Sequence, residues 1–293
     1  MQLQGALSAI ITPFSGGQID EGALRALIDW QIEQGVSGIV PTGTTGESAT
    51  LSHEEHRRVV EIVVDQAKGR VPVVAGTGSN NTAEAVSLTK HAKDSGAAAS
   101  LQISPYYNKP TQEGLYRHFA TIAEEADLPI LLYNIPGRTS ILIAPETTIR
   151  LAKVTNVIGI KEATGSMDYT SEVLAALGPD NFIVLSGDDS LTLPLMAIGA
   201  KGTITASANV IPNQMSEICR LCLAGDFAAA REIHLKVFDL IKTLFCETNP
   251  IPVKTGVELL GRGKAEFRLP LTPMSDTGRA RLETEMKKLG LIG

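Results

Sequence analysis

The sequence predicts an α/β protein: a (β/α)8 TIM barrel with a C-terminal helical appendage. Three observations lead there. Short runs rich in Val, Ile and Leu alternate with amphipathic stretches of 10 to 17 residues, eight such runs occur at spacings mostly of about 25 to 33 residues, and only helical patterns follow the last. Such alternation reads as strand-helix units around a parallel sheet, and eight parallel units is the number that closes a barrel. An open doubly wound sheet is the other arrangement this pattern allows.

The runs occupy residues 6–11, 38–41, 71–75, 100–103, 130–133, 157–161, 182–185 and 203–205. Between them, helices are bounded by local chemistry. Asp20 precedes a helical pattern at 21–33, Ser52 and Glu55 make a capping box for 54–68, and Gly35, Gly69 and Gly96 stand at stop positions. After the eighth run, 212–224 completes the barrel, while 227–245, 252–260 and 276–289 read as further helices. The chain therefore divides into a catalytic barrel, 1–225, and a C-terminal helical region, 226–293, packed together because no low-complexity linker separates them.

Composition narrows the function classes. The chain has 293 residues, 43% hydrophobic and 20% charged, and no apolar stretch approaches the roughly 18 residues of a membrane helix. A soluble protein with no membrane partner is expected. The net charge is −6, from 26 Lys and Arg against 32 Asp and Glu, with no basic cluster to follow a phosphate backbone. Nucleic acid is not expected as a partner. Met1-Gln2-Leu3-Gln4-Gly5 lacks a secretory pattern, which points to the cytoplasm. Cys219 and Cys222 fall at helical spacing with Met215, Ile218 and Leu221, so they read as packed thiols. His53 and His56 lie close together without a third ligand, so no metal is expected.

In a parallel barrel the loops after the C-terminal strand ends carry function. Lys161 closes the apolar run 157–160, where alternation sets Val157, Gly159 and Lys161 on one face, toward the barrel interior. Ile158 and Ile160 then face the helices, and Gly159 leaves ligand space below the lysine. Desolvation disfavours an ammonium ion and favours the neutral amine that attacks a ketone. A strand-end lysine turned to solvent is the alternative. Tyr133 ends the neighbouring run, also inward, where a phenol can shuttle protons during imine formation. Thr44 and Thr45 offer hydroxyls in the turn Gly43 to Gly46, and Arg138 offers a planar fork for a carboxylate.

The segments Gly43-Thr-Thr-Gly-Glu-Ser48, Gly76-Thr-Gly78, Pro105-Tyr-Tyr-Asn108, Tyr133-Asn-Ile-Pro136, Arg138-Thr139, Gly159-Ile-Lys-Glu-Ala163, Ser186-Gly-Asp-Asp189 and Asn249-Pro-Ile-Pro-Val-Lys254 together resemble the dihydrodipicolinate synthase family, within the superfamily that includes N-acetylneuraminate lyase. The match runs through the barrel into the C-terminal helices. It implies a lyase that condenses pyruvate with L-aspartate 4-semialdehyde through a lysine Schiff base, without a cofactor, on the route to diaminopimelate and lysine. It implies Lys161 as the Schiff-base lysine, Tyr133, Thr44 and Tyr107 as a proton relay, and Tyr107 entering from a neighbouring subunit of a homotetramer built as a dimer of dimers. Thr45 would hold the pyruvate carboxylate, Arg138 the aldehyde substrate's carboxylate, and Gly187 and Ile204 would line the pocket. Ser48, Ala49, His53, His56, Asn80, Glu84 and Tyr106 match an allosteric L-lysine site, with His53 and His56 otherwise a polar helix face. Ser104 replaces the usual threonine, run eight reads Gly202-Thr-Ile-Thr-Ala-Ser-Ala-Asn209, and Thr255 replaces an aromatic.

Two other readings compete. A sugar-acid or sialic acid lyase uses the same Schiff-base machinery, because the lysine does not name the aldehyde. It would call for several hydroxyl-binding groups, whereas residues 136–139 offer one carboxylate-binding fork. A non-catalytic binding protein on the same barrel would not need both Lys161 and Tyr133.

Overall fold

A computed structural model describes residues 3–293; Met1 and Gln2, on which part of the N-terminal reading rests, lie outside them. Eight parallel strands form the barrel: β1 Gly5–Ala9, β2 Gly38–Val40, β3 Val74–Gly76, β4 Ala99–Ile103, β5 Ile130–Asn134, β6 Val157–Glu162, β7 Ile183–Ser186 and β8 Gly202–Thr205. Their order is β2-β1-β8-β7-β6-β5-β4-β3, and a parallel bridge between Ile39 and Val73 joins the two ends. The barrel expected from the spacing is therefore present, and every expected run overlaps a strand.

The helices that alternate with them are α1 Glu21–Glu33, α2 His53–Ala67, α3 Thr82–Asp94, α4 Gln112–Ala126, α5 Pro145–Leu151, α6 Met167–Leu177, α7 Thr192–Ala197 and α8 Pro212–Leu223. Local signals set their ends. The Asp20 side chain accepts from Ala23 N at the start of α1, and Ser52 and Glu55 form the reciprocal box at α2. A two-stranded hairpin, Phe14–Ser15 with Gln18–Ile19, was not legible, because two-residue strands carry no alternation. Gly16 and Gly17, at φ of 61° and 78°, make its turn.

Apolar side chains sort into two layers. Leu7, Val40, Leu101, Leu131, Leu185 and Ile204 fill the interior, while Ile39, Ile130, Leu132, Ile160 and Val184 pack outward on the helices. Strand β6 departs from the alternation expected of it. Ile130 pairs with Val157 but Leu131 pairs with Gly159, so the register shifts by one residue. This bulge sends Val157 outward and Ile158 inward, the reverse of the sequence reading, and restores Lys161 to the interior. Gly159 does not leave ligand space. A Cβ there would meet Ile183 and Leu131, so the glycine lets neighbouring strands close.

Beyond the barrel lie α9 Phe227–Thr243, α10 Ile251–Leu259 and α11 Asp276–Lys288; α9 packs on α8, and α11 on both α9 and α10. Burial of Val237, Leu240, Val253, Val257, Leu282 and Met286 joins them to the outer apolar layer. Cys219 and Cys222 are buried, and burial pushes both thiols up, as packed cysteines behave.

Candidate active site

A cavity of about 240 Å³ opens at the C-terminal ends of the strands, lined by Thr44, Thr45, Tyr133, Arg138, Lys161, Gly187 and Ile204 among others. Seven of the residues singled out from sequence thus converge, from five strands or the loops that follow them. Strand register brings the central pair together: Tyr133 on β5 is opposite Lys161 on β6, and Lys161 is opposite Leu185 on β7. The lysine Nζ stands 4.2 Å from the centroid of the tyrosine ring. Both side chains are buried, so the amine sits against an aromatic face inside the cavity.

Gly187 follows β7, and its N–H donates to the Glu162 carbonyl at 2.6 Å. A Cβ at this position would lie 3.0 Å from Lys161 Cε and 2.8 Å from Ala163 Cβ, so only glycine leaves the lysine stem unhindered. Behind the lysine strand, burial pushes the Glu162 carboxyl up, while it accepts the Thr164 N–H at 2.5 Å. Asp189 is fully buried and likewise pushed up by burial; it accepts the Ser207 N–H at 2.8 Å.

The threonine turn after β2 is held from several sides. Thr42 and Glu47 both have left-handed backbone, at φ of 53° and 54°, which is strained for a β-branched residue above all. The Thr42 hydroxyl donates to the Gly76 carbonyl at 2.9 Å and Thr12 donates to the Gly46 carbonyl at 2.7 Å. Glu47 accepts from Lys254 Nζ at 2.5 Å, with both side chains 0% exposed. Asn249 Nδ2 donates to Thr45 Oγ1 at 2.9 Å, and Arg138 Nη2 donates to the Asn249 carbonyl at 3.2 Å. The C-terminal region therefore grips the turn at Thr45 and at Glu47.

Sequence reasoning missed these last contacts. Asn249 and Lys254 were visible only as part of a motif, and no periodicity connects positions about 200 residues apart. Asp188, Ser190 and, from α9 and its end, Ile241, Lys242 and Phe245 also line the cavity without having been anticipated. They sit on helix faces or loops where polar and apolar types alternate ordinarily.

Tyr107 is the site residue that this chain does not bring in: it is 92% exposed, at φ of 69°. A second cavity, about 360 Å³, adjoins the first through the shared residues Gly43, Thr44, Leu101, Tyr133, Arg138 and Asn249. Ser48, Ala49 and Tyr106 line it, along with Pro270 and Leu271. Beside it, His53 Nε2 lies 2.6 Å from Glu84 Oε1, the Ser79 hydroxyl donates to Glu84, and Asn80 Nδ2 donates to the Tyr106 carbonyl at 3.4 Å. His56 does not share an exposed face with His53. It is buried with Nε2 2.8 Å from the Gly76 carbonyl oxygen, and burial pushes its pKa down to about 4.

Three comparisons bear on this geometry. The model of the "Dihydrodipicolinate synthetase family" matches residues 2–289. The 4-hydroxy-tetrahydrodipicolinate synthase of Nitratidesulfovibrio vulgaris (strain Miyazaki F) is 52% identical over 293 residues, all of both chains. Among solved structures, dihydrodipicolinate synthase from Aquifex aeolicus is 52% identical with a TM-score of 0.97, covering 99% of each chain. The enzyme from Cyanidioschyzon merolae, solved with lysine bound, is 38% identical with a TM-score of 0.95, again over 99% of each chain.

Proposed function

Since the chain belongs to the dihydrodipicolinate synthetase family, we propose that its barrel cavity condenses pyruvate with L-aspartate 4-semialdehyde to 4-hydroxy-tetrahydrodipicolinate, a lyase step in diaminopimelate and lysine biosynthesis. The observation that carries the assignment of residues is the buried pair of Lys161 and Tyr133 above Gly187. As a free amine, Lys161 attacks the ketone carbon of pyruvate, and the carbinolamine loses water to give an iminium. Tyr133 moves the protons of these two steps, and Thr45 donates to the pyruvate carboxylate. Loss of a methyl proton gives an enamine, whose carbon attacks the aldehyde while Arg138 holds that substrate's carboxylate. The substrate's own amine then attacks the imine carbon and displaces Lys161 as the ring closes, so the lysine returns unchanged and one water leaves overall.

In this reading residues 1–225 are the catalytic barrel, and 226–293 brace its mouth. Thr44 relays protons between Tyr133 and a Tyr107 supplied by a second subunit. The exposure of Tyr107, and of Tyr106 and Leu269 near the second cavity, supports a tight dimer, and two such dimers form the tetramer. Among the described residues no helix is long and apolar enough to cross a membrane, and the cytoplasm is the compartment this biosynthetic role calls for. The cluster of Ser48, Ala49, His53, His56, Asn80, Glu84 and Tyr106 is the proposed L-lysine site. Glu84, with His53 beside it, suits an amino group, and Asn80 suits a carboxylate.

Incubating the protein with pyruvate and L-aspartate 4-semialdehyde should give the cyclic product, whereas N-acetylmannosamine with pyruvate should give none. Turnover of the sugar aldehyde in place of the amino aldehyde would overturn the assignment. Millimolar L-lysine should slow the wild type and spare Glu84→Thr; equal effects on both would remove the regulatory site.

A further inference from the structure

Lys161 stands between two loops that carry opposite charges. Its strand, β6, lies between β5 and β7; the loop after β5 brings Arg138 to the cavity, and the loop after β7 brings Asp188, the one acidic side chain in the lining among the described residues. Neither charge is neutralised within the chain as described. The Arg138 guanidinium donates to the Asn249 carbonyl at 3.2 Å, and no cation pairs with Asp188, Lys242 of the same lining included.

The half-buried Asp188 carboxylate is fixed at one oxygen and open at the other. Oδ1 accepts from the Ser190 N–H at 3.1 Å and from the Ser190 hydroxyl at 2.8 Å, while the Ser186 hydroxyl donates to the Asp188 carbonyl at 2.7 Å and holds the turn. Oδ2 takes no donor from the protein, and it is not sealed from solvent as Gln31 Oε1 and Gln102 Oε1 are. Capping the short helical turn at 189–191 occupies Oδ1 alone and calls for no charge, since asparagine caps as well as aspartate. A carboxylate on a cavity wall has given up part of its water, and a cation on the ligand offsets that loss. Pyruvate, an anion, offers none. The second substrate of the proposed reaction bears an ammonium and a carboxylate on one carbon, so with Arg138 on the carboxylate the ammonium is left to the opposite side of Lys161, where Asp188 stands.

We infer that Asp188 Oδ2 receives the ammonium of the α-amino aldehyde, opposite Arg138, and that this pair of charges selects the zwitterion over aldehyde acids that lack the amine. The inference rests on the reading of Lys161 and Arg138 given above. A site built to hydrogen-bond a polar group rejects the analogue without it far more strongly than an apolar pocket rejects a missing methylene. Here the discrimination is also repulsive, because a des-amino aldehyde acid brings a net negative charge toward Asp188.

Asp188→Asn keeps the side chain's shape and an acceptor for Ser190 but removes the charge, and Asp188 is hydrogen-bonded to neither Arg138 nor Thr45. Steady-state rates of the assembled enzyme are measured with L-aspartate 4-semialdehyde as substrate and 4-oxobutanoate, its des-amino analogue, as competitor. In Asp188→Asn the KM of the amino aldehyde should rise about tenfold or more, about 1.4 kcal/mol, with the effect in KM rather than kcat. The Ki of 4-oxobutanoate should stay level or fall, and the KM of pyruvate should remain within about twofold of wild type. The inference is wrong if the KM of the amino aldehyde is unchanged, if the amino aldehyde and its analogue weaken alike, or if pyruvate weakens as much as the aldehyde, which would place the effect at Lys161. Should Asp188→Asn fail to fold, Asp188→Glu takes its place, keeping the charge but displacing it by one methylene: a larger change for the amino aldehyde than for 4-oxobutanoate supports the contact, and equal changes overturn it. Failure of the wild type to turn over the amino aldehyde with pyruvate would instead count against the proposed function.

Discussion

Replacing Lys254 by methionine removes the cation that neutralises Glu47 inside the protein and leaves that carboxylate the Arg268 N–H at 3.4 Å. Methionine nearly matches the lysine stem in volume, so the loss is electrostatic and polar rather than volumetric: the ion pair with Glu47, the cation–π contact of Nζ with the Phe14 ring centroid at 4.2 Å, and the hydrogen bond to the Glu266 carbonyl at 2.7 Å all go. With both side chains 0% exposed, solvent offers no screening. Breaking one side of such a pair costs about 3–5 kcal/mol. At about 2–4 °C for each kcal/mol in a domain of roughly this size, Tm should fall by roughly 6–20 °C. Thermal unfolding by circular dichroism at fixed protein concentration reads this directly. Turnover well below the transition should fall too, because Glu47 closes the strained turn that displays Thr44 and Thr45. In Lys254→Met/Glu47→Met no charge is left stranded, and at least half of the lost stability should return. A Tm within about 2 °C of wild type for the single variant, or a double variant no better than the single, would refute the reasoning.

Three further outcomes are expected. Gly187→Ala should leave folding intact but weaken pyruvate binding at least about tenfold in kcat/KM, because the added methyl meets Lys161 Cε; unchanged kinetics would show that the stem has room. Buried His56 and His118 are both pushed down from 6.5 to about 4, and both take up a proton when the chain unfolds. Their contribution is full above pH 6.5 and is lost as pH falls toward about 4, on the order of 3 kcal/mol each. Glu162 and Asp189, pushed up by burial, oppose this, so the readout is the difference between wild type and His118→Gln in urea unfolding across that window; parallel pH dependences would remove His118 from the account. Tyr107→Phe and Lys161→Ala, each inactive, should partly restore turnover when mixed and reassembled, since one hybrid site regains both residues; inactivity despite proven subunit exchange would place Tyr107 outside the site.

The barrel was legible because its cause is repetitive. A short apolar run followed by helical periodicity, eight times over, leaves few topologies, and Lys161 and Tyr133 stood out as polar residues closing apolar runs. The bulge at Ile158 was not legible, because a register shift depends on how β5 and β6 pair and not on the sequence of either alone. The role of Gly159 was misread for the same reason: what fills the space beside a glycine is decided by its neighbours, here Leu131 and Ile183. Arg138 could be read as a carboxylate fork from its loop. Its link to Asn249, and the grip of Lys254 on Glu47, join parts of the chain that meet only in the folded protein.

The central claim is that Lys161 forms an imine with pyruvate. Wild-type protein treated with pyruvate and sodium borohydride, digested and sequenced by mass spectrometry, should be inactivated irreversibly and carry the reduced pyruvyl adduct on Lys161. An adduct on any other lysine, or full activity retained after the same treatment, would contradict it.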